Sequence, residues 1–221
     1  FTRRRFIAAV SASSLAAVAS RAIPVFGNTT GNIDKLAILG GEPVRKNKSW
    51  PRWPHVDEKV IDSILKTTNS GKWCRTSGGF ESESQKGPVD AFETEYARLY
   101  GIKRCVAVNT GTSALNTAVE ALDIGAGDEV ITSPYSDIGT IMAIILARAL
   151  PVMADLDPES YQLDPVDVER RITPNTRAIM PVHIMGVSCD MEQIMAIARK
   201  HNLKVIEDCC QAHLAEFGGK K

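Results

Sequence analysis

From Cys105 to the last residue, short apolar runs alternate with stretches of helical spacing, and this alternation limits the fold more than any other feature. Runs at 105–108, 129–132, 151–154, 178–184 and 204–207 have the length of strands, and each holds at least two apolar residues in succession. A strand open to water on one side alternates apolar with polar residues; one covered on both sides does not. Between the runs, Leu115, Val119 and Leu122 mark one helical face, 141–150 reads as a helix or buried apolar run, and 191–201 as a helix. Asp164 before Pro165 predicts a short helix with Asp164 as N-cap and Pro165 at the first position, where a missing N–H costs nothing. Strands alternating with helices predict an α/β fold, mainly a parallel sheet between helical layers. Ligands in such sheets sit beyond the carboxyl ends of strands. Four segments fall there: 109–113, 134–139, 183–186 and 208–213.

Upstream of the alternation, Val60, Ile61, Ile64 and Leu65 predict a helix ended by Asn69-Ser70-Gly71, and Phe92, Tyr96, Leu99 and Tyr100 a second closed by Gly101. A glycine-rich polar stretch, 76–87, lies between them. Residues 36–54, with Gly40-Gly41-Glu42-Pro43 and Trp50-Pro51-Arg52-Trp53-Pro54, read as an irregular arm able to lie across a partner, and 21–35 as a polar linker. Residues 1–20 carry Thr2-Arg3-Arg4-Arg5-Phe6-Ile7, a short apolar run and Ala17-Val18-Ala19, the order of a signal peptide resembling twin-arginine export signals. That run is too short for a stable membrane span, so an exported protein is expected; were this only an unstructured basic start, the protein would stay in the cytoplasm.

Lys+Arg and Asp+Glu both number 26, so no net charge points to nucleic acid or an acidic membrane surface. Four histidines without paired spacing and five cysteines without a C-x-x-C make a metal site unexpected. Cys209 and Cys210 read as small buried thiols.

The strand ends hold the chemistry. A helix opening at Gly111-Thr112-Ser113 presents unpaired backbone N–H groups to an anion, with two hydroxyls beside them; the same residues also suit a plain N-cap. Asp208, where Val205-Ile206-Glu207 stops, is either a cap or a buried anion able to keep a pyridine nitrogen protonated. His183 after Pro181-Val182 is either a structural residue or a site residue.

These motifs together resemble the DegT-type aminotransferases. The likeness runs from about Leu36 to the end, through Leu36-Ala37-Ile38-Leu39-Gly40-Gly41-Glu42-Pro43, Gly125-Ala126-Gly127-Asp128-Glu129-Val130-Ile131, Pro181-Val182-His183-Ile184-Met185-Gly186 and Glu207-Asp208-Cys209-Cys210-Gln211-Ala212-His213. It implies the type I fold of pyridoxal 5'-phosphate (PLP)-dependent transferases, with 36–221 as the amino-terminal part of an incomplete large domain. It implies PLP as cofactor, a keto-sugar or keto-inositol as amino acceptor, glutamate or glutamine as donor, and a homodimer with active sites at the subunit boundary. By the same likeness Gly111, Thr112 and Ser113 bind the phosphate, Asp208 pairs with the pyridine nitrogen and Gln211 contacts the ring-hydroxyl side; His183, from its strand-end position alone, is the residue expected to stabilise the site.

Two departures stand out. The family carries an aromatic two residues after the tyrosine of a Pro-x-Tyr segment, where it stacks on the cofactor ring; here Pro134-Tyr135-Ser136-Asp137 places Asp137 there, leaving Tyr135 or another group to stack. The family lysine that bonds the cofactor follows the aspartate by some tens of residues, whereas this sequence runs to Lys221. Lys220 and Lys221 follow Phe217-Gly218-Gly219, which predicts a hairpin turn, so the sequence is expected to be a fragment lacking the catalytic lysine and inactive alone. Two rival functions remain open at this point: a lysine-lacking PLP sugar dehydratase, and an exported non-catalytic protein that binds a sugar or partner.

Overall fold

The computed structural model describes Ala37 and residues 41–43, 52–72 and 87–221. The expected signal peptide (1–20), linker (21–35), most of the arm and residues 76–86 lie outside the described residues. The chain divides into two compact units, Phe1–Asp57 and Glu58–Lys221.

The second unit opens with α1 (Glu58–Asn69), whose apolar residues share a face although none of them is buried. Helix α2 (Pro88–Tyr100) starts on a proline and an Asp90 carboxylate that takes the Gly87 N–H at 2.9 Å. It stops at Gly101, whose φ of 64° is the left-handed conformation that glycine adopts without strain. Phe92, Tyr96 and Tyr100, four residues apart, form a ladder with ring centroids 5.5 and 4.6 Å apart. The Tyr100 hydroxyl accepts the Leu214 N–H at 2.8 Å, tying α2 to the end of the chain.

Among the described residues, four parallel strands form the sheet: β1 (Glu129–Thr132), β2 (Leu150–Met153), β3 (Thr176–Met180) and β4 (Lys204–Val205), in the order β2-β1-β3-β4. β2 is an edge strand, which tolerates Pro151. β3 is shorter than the expected run to 184 because Pro181 has no N–H to continue the ladder. The expected strand at 105–108 does not form. Val106 and Val108 are exposed, and the Ala107 N–H is donated to the Glu93 carboxylate of α2 at 2.6 Å.

Helices α3 (Gly111–Ala121) and α4 (Ile138–Leu146) cover one face of the sheet; α5 (Pro165–Arg170) and α6 (Met191–Lys200) cover the other. Asp164 caps α5 through the Val166 N–H at 2.9 Å, as expected. Because strand side chains point alternately to opposite faces, Val130, Ala178, Met180 and Ile206 join Leu115, Val119 and Ile144 in one core. Ile131 and Ile179 join Val168, Ile194 and Ala198 in the other. Each fully buried Val or Ile here contributes about 1.5–3 kcal/mol. Among the described residues no helix is long and apolar enough to cross a membrane.

Candidate active site

The face alternation continues past the strands and sorts the candidate residues. Val182 and Asp208 form an isolated parallel bridge, with the Asp208 N–H donated to Pro181 O at 2.9 Å and the His183 N–H to Asp208 O at 3.1 Å. Asp208 therefore follows Ile206 onto the α3/α4 face, while His183, Glu207 and Cys209 emerge on the α5/α6 face.

On the α3/α4 face, Gly111, Thr112, Asp137, Thr140, Asp208 and Gln211 line a cleft of about 310 Å³, near the lower end for small-molecule sites. One wall is the start of α3. Thr110 caps it, accepting the Ser113 N–H at 3.0 Å and donating to the Ser113 hydroxyl at 3.0 Å, so Ser113 is engaged in the cap and does not line the cleft. Gly111 and Thr112 do, with helix N-terminal N–H groups and a hydroxyl. A Cβ on Gly111 would fall 2.7 Å from Cys210 Sγ, and one on Gly139 would fall 2.5 Å from Thr112 Oγ1. Glycine at both positions lets the α3 start, the α4 start and the 208–211 turn close around one space.

Asp208 is only 3% exposed. Its Oδ2 accepts the Thr140 hydroxyl at 2.6 Å and its Oδ1 the Cys210 N–H at 3.1 Å. Burial, and then the Asp208 carboxylate, push the Cys210 thiol up to about 12, which keeps it neutral beside that carboxylate. Gln211 lines the same cleft; its Oε1 accepts the Met185 N–H at 3.0 Å, leaving the amide NH2 as its donor end. Met185 holds φ at 55°, uncommon for a non-glycine residue, to present that N–H. Asp137, where an aromatic was expected, caps α4 by accepting the Gly139 N–H at 2.7 Å.

Two expected site residues lie elsewhere. Tyr135 does not line this cleft; it borders a separate apolar one with Leu156, Tyr161, Ile184 and Met185. His183, 4% exposed, faces a cavity of about 530 Å³ on the opposite side of the sheet, shared with Glu207 and Cys209. Burial opposes a charged His183 ring, while the Cys189 and Cys209 sulfurs and the Glu207 carboxylate favour one and draw its pKa upward. The contacts decide: Nδ1 accepts the Cys189 N–H at 3.1 Å, so the ring proton sits on Nε2, 3.1 Å from Glu207 Oε2. His183, Glu207 and Cys209 lie close enough together to suggest a metal. Coordination through Nε2 would move the ring proton to Nδ1, against the Cys189 N–H. Lys220 and Lys221 also border the His183 cavity, and Phe217 and Lys220 close a hairpin through Gly218 and Gly219, whose φ values are 57° and 76°.

Sequence reasoning missed Thr110, Ser136 and Thr140. The available signal was Thr140 itself, a hydroxyl in the apolar run 138–146 at the spacing of buried Ala143 and Ile144.

A putative L-glutamine:3-amino-2,3-dideoxy-scyllo-inosose aminotransferase of Micromonospora echinospora is 42% identical over 188 residues, covering 84% of this chain and 43% of the relative. A dTDP-3-amino-3,6-dideoxy-alpha-D-galactopyranose transaminase of Aneurinibacillus thermoaerophilus is 49% identical over 135 residues, 61% of this chain and 37% of the relative. The chain thus spans less than half the length of these curated relatives. NtdA of Bacillus subtilis, solved with its cofactor PMP bound, superimposes with a TM-score of 0.62 at 30% identity, covering 77% of this chain and 39% of that one. The α/β fold expected from the sequence is shared with a solved aminotransferase of Psychrobacter cryohalolentis, at a TM-score of 0.70 and 36% identity over 78% of this chain and 42% of that one. Residues 59–221 match the DegT/DnrJ/EryC1/StrS aminotransferase family, and the chain belongs to that family.

Proposed function

We propose that this chain builds the cofactor-binding part of a PLP-dependent aminotransferase that aminates a keto-cyclitol or keto-sugar with glutamine or glutamate as donor. The observation that carries the reading is a single cleft bounded by two opposite chemistries. Helix N-terminal N–H groups and the Thr112 hydroxyl suit a phosphate, and the buried Asp208 carboxylate suits a protonated ring nitrogen. Bound there, PLP supplies an electron sink for negative charge developing at the carbon that bears the amino group. Gly111 and Thr112 hold the phosphate and Asp208 holds the ring-nitrogen proton. Gln211 offers its NH2 to the ring hydroxyl, and Asp137 fixes the α4 start that forms the adjoining wall. The Micromonospora relative names glutamine as donor and an inosose as acceptor, which favours a keto-cyclitol. The test is Asp208→Asn in the full-length protein: cofactor uptake through the phosphate end persists while glutamine-dependent amination is largely lost. Near wild-type turnover in that variant refutes the assignment.

The assembly we infer is a homodimer. The outward face of α4 leaves Ile138, Met142, Ile145 and Leu146 between 37% and 66% exposed beside the cleft, a stripe that a second subunit would cover. Sedimentation that returns only monomer at micromolar concentration refutes it. Residues 1–20 we assign to export of the folded protein, on the order of Arg3-Arg4, Phe6 and the apolar run. Residues 1–30 fused to a fast-folding reporter should carry it out of the cytoplasm, and Arg3→Lys with Arg4→Lys should stop it; unchanged export in the double variant refutes the twin-arginine route.

A further inference from the structure

Thr140 is buried, 1% exposed, on the inward face of α4 beside Gly139, Ala143 and Ile144. A threonine there carries a hydroxyl among the apolar side chains of that core. Its Oγ1 lies 2.6 Å from Asp208 Oδ2 and 2.6 Å from the Ser136 hydroxyl, one turn earlier in the chain. Proton bookkeeping sets the direction. The Thr140 hydroxyl donates its one hydrogen to Asp208 Oδ2, so the Ser136–Thr140 bond is donated by Ser136. The result is a one-way relay, Ser136 to Thr140 to Asp208. At Oδ1 the donor is the Cys210 N–H. The Asp208 backbone is held by Pro181 O and by the His183 N–H. Each carboxylate oxygen keeps a second lone pair, and the residue lines the cleft.

We infer that Thr140, oriented by Ser136, is the positioning residue that sets the rotamer of Asp208 and presents its remaining lone pair to a cationic ring nitrogen in the cleft. This rests on the cofactor reading above and adds to it a named pair of residues. Two fixed donors leave the carboxylate one orientation, which is what a charge-assisted contact to a planar ring requires, since its strength falls steeply with misalignment. Without the Thr140 hydroxyl, the side chain keeps a single anchor at Oδ1 and turns about it, and the ring contact is lost part of the time.

The experiment compares the protein with its Thr140→Val, Thr140→Ser and Ser136→Ala variants, using PLP labelled with nitrogen-15 in the ring. Three quantities are read: the dissociation constant, the ring-nitrogen chemical shift, and the fold by circular dichroism. Thr140→Val, isosteric but without a donor, should weaken binding about tenfold, the weight of one hydrogen bond to a charged group. It should also move the ring-nitrogen signal toward the unprotonated position. Thr140→Ser should restore both quantities, and Ser136→Ala should weaken binding about twofold to threefold, since it acts one bond further away. A folded Thr140→Val protein with unchanged affinity and unchanged ring-nitrogen shift overturns the inference, as does a Thr140→Ser protein that behaves like the valine variant. If the unmutated protein shows no protonated ring nitrogen, the role of Asp208 itself falls, and this inference falls with it.

Discussion

Asp167 gives the structure a measurable acid limit. It sits in the first turn of α5, 4% exposed, and accepts the Asp155 N–H at 2.7 Å, the Arg171 guanidinium at 2.7 Å and the Arg170 guanidinium. The Arg171 hydrogen bond first, then the Asp155 N–H, outweigh burial and lower its pKa from 3.8 to about 2. Through Asp155 the carboxylate anchors the segment that leaves β2 and carries Gln162, whose amide bonds both backbone groups of Ile184 beside the site. A folded pKa below the unfolded one means the stabilisation is complete above about pH 4 and is lost as pH falls toward 2. The shift alone corresponds to at most about 2.4 kcal/mol. Arg170 and Arg171 are 74% and 40% exposed, so screening by water lowers the expected contribution to about 1 kcal/mol. Asp167→Asn should therefore cost about 1 kcal/mol at pH 7, and the deficit should fall to about half of that near pH 3 and vanish only below about pH 2. Urea denaturation of both proteins at pH 7, 5, 4 and 3 reads this directly. A deficit of the same size at every pH would show that Asp167 acts through packing alone and would refute the reasoning.

Gly139→Ala should separate binding from stability. The new methyl displaces the Thr112 hydroxyl, which swings away on its own rotamer, so the thermal midpoint should stay within a few degrees while phosphate and PLP affinity fall about tenfold; equal affinity would remove Thr112 from the phosphate site. His183→Ala should cost about 1–3 kcal/mol by leaving the Cys189 N–H without its acceptor, yet leave cofactor affinity unchanged because the ring lies across the sheet; a matching loss of affinity in titrations would return His183 to the site. Leu214 holds φ at 63° with its side chain 47% exposed, so Leu214→Gly should raise stability by about 0.5 kcal/mol as left-handed strain is relieved, and a lower unfolding midpoint would show that its packing matters more.

The sequence by itself determined the layers and most of the cleft. Consecutive apolar residues at 130–131 and 178–180 require cover on both faces, and Asp164-Pro165 and Gly101 mark helix ends through local backbone chemistry that no distant contact alters. Gly111, Thr112 and Asp208 were legible because strand ends and helix starts are local features, Gln211 was legible only through the family resemblance, and the structure brings these four to one cleft. Tertiary structure alone decided which face each strand-end residue takes. The register that bridges Val182 to Asp208 sends Asp208 one way and His183 the other, and no property of the Pro181-Val182-His183 segment reveals that parity. Residues 105–108 likewise stay out of the sheet, and the Ala107 N–H goes to Glu93 of α2 instead of a neighbouring strand. Tertiary structure also gave Asp137 the work of a helix cap and paired Thr140 with an aspartate 68 residues away. A hydrogen bond over that separation depends on how two helices and a strand pack, so the residues that orient Asp208 become visible only in the folded chain.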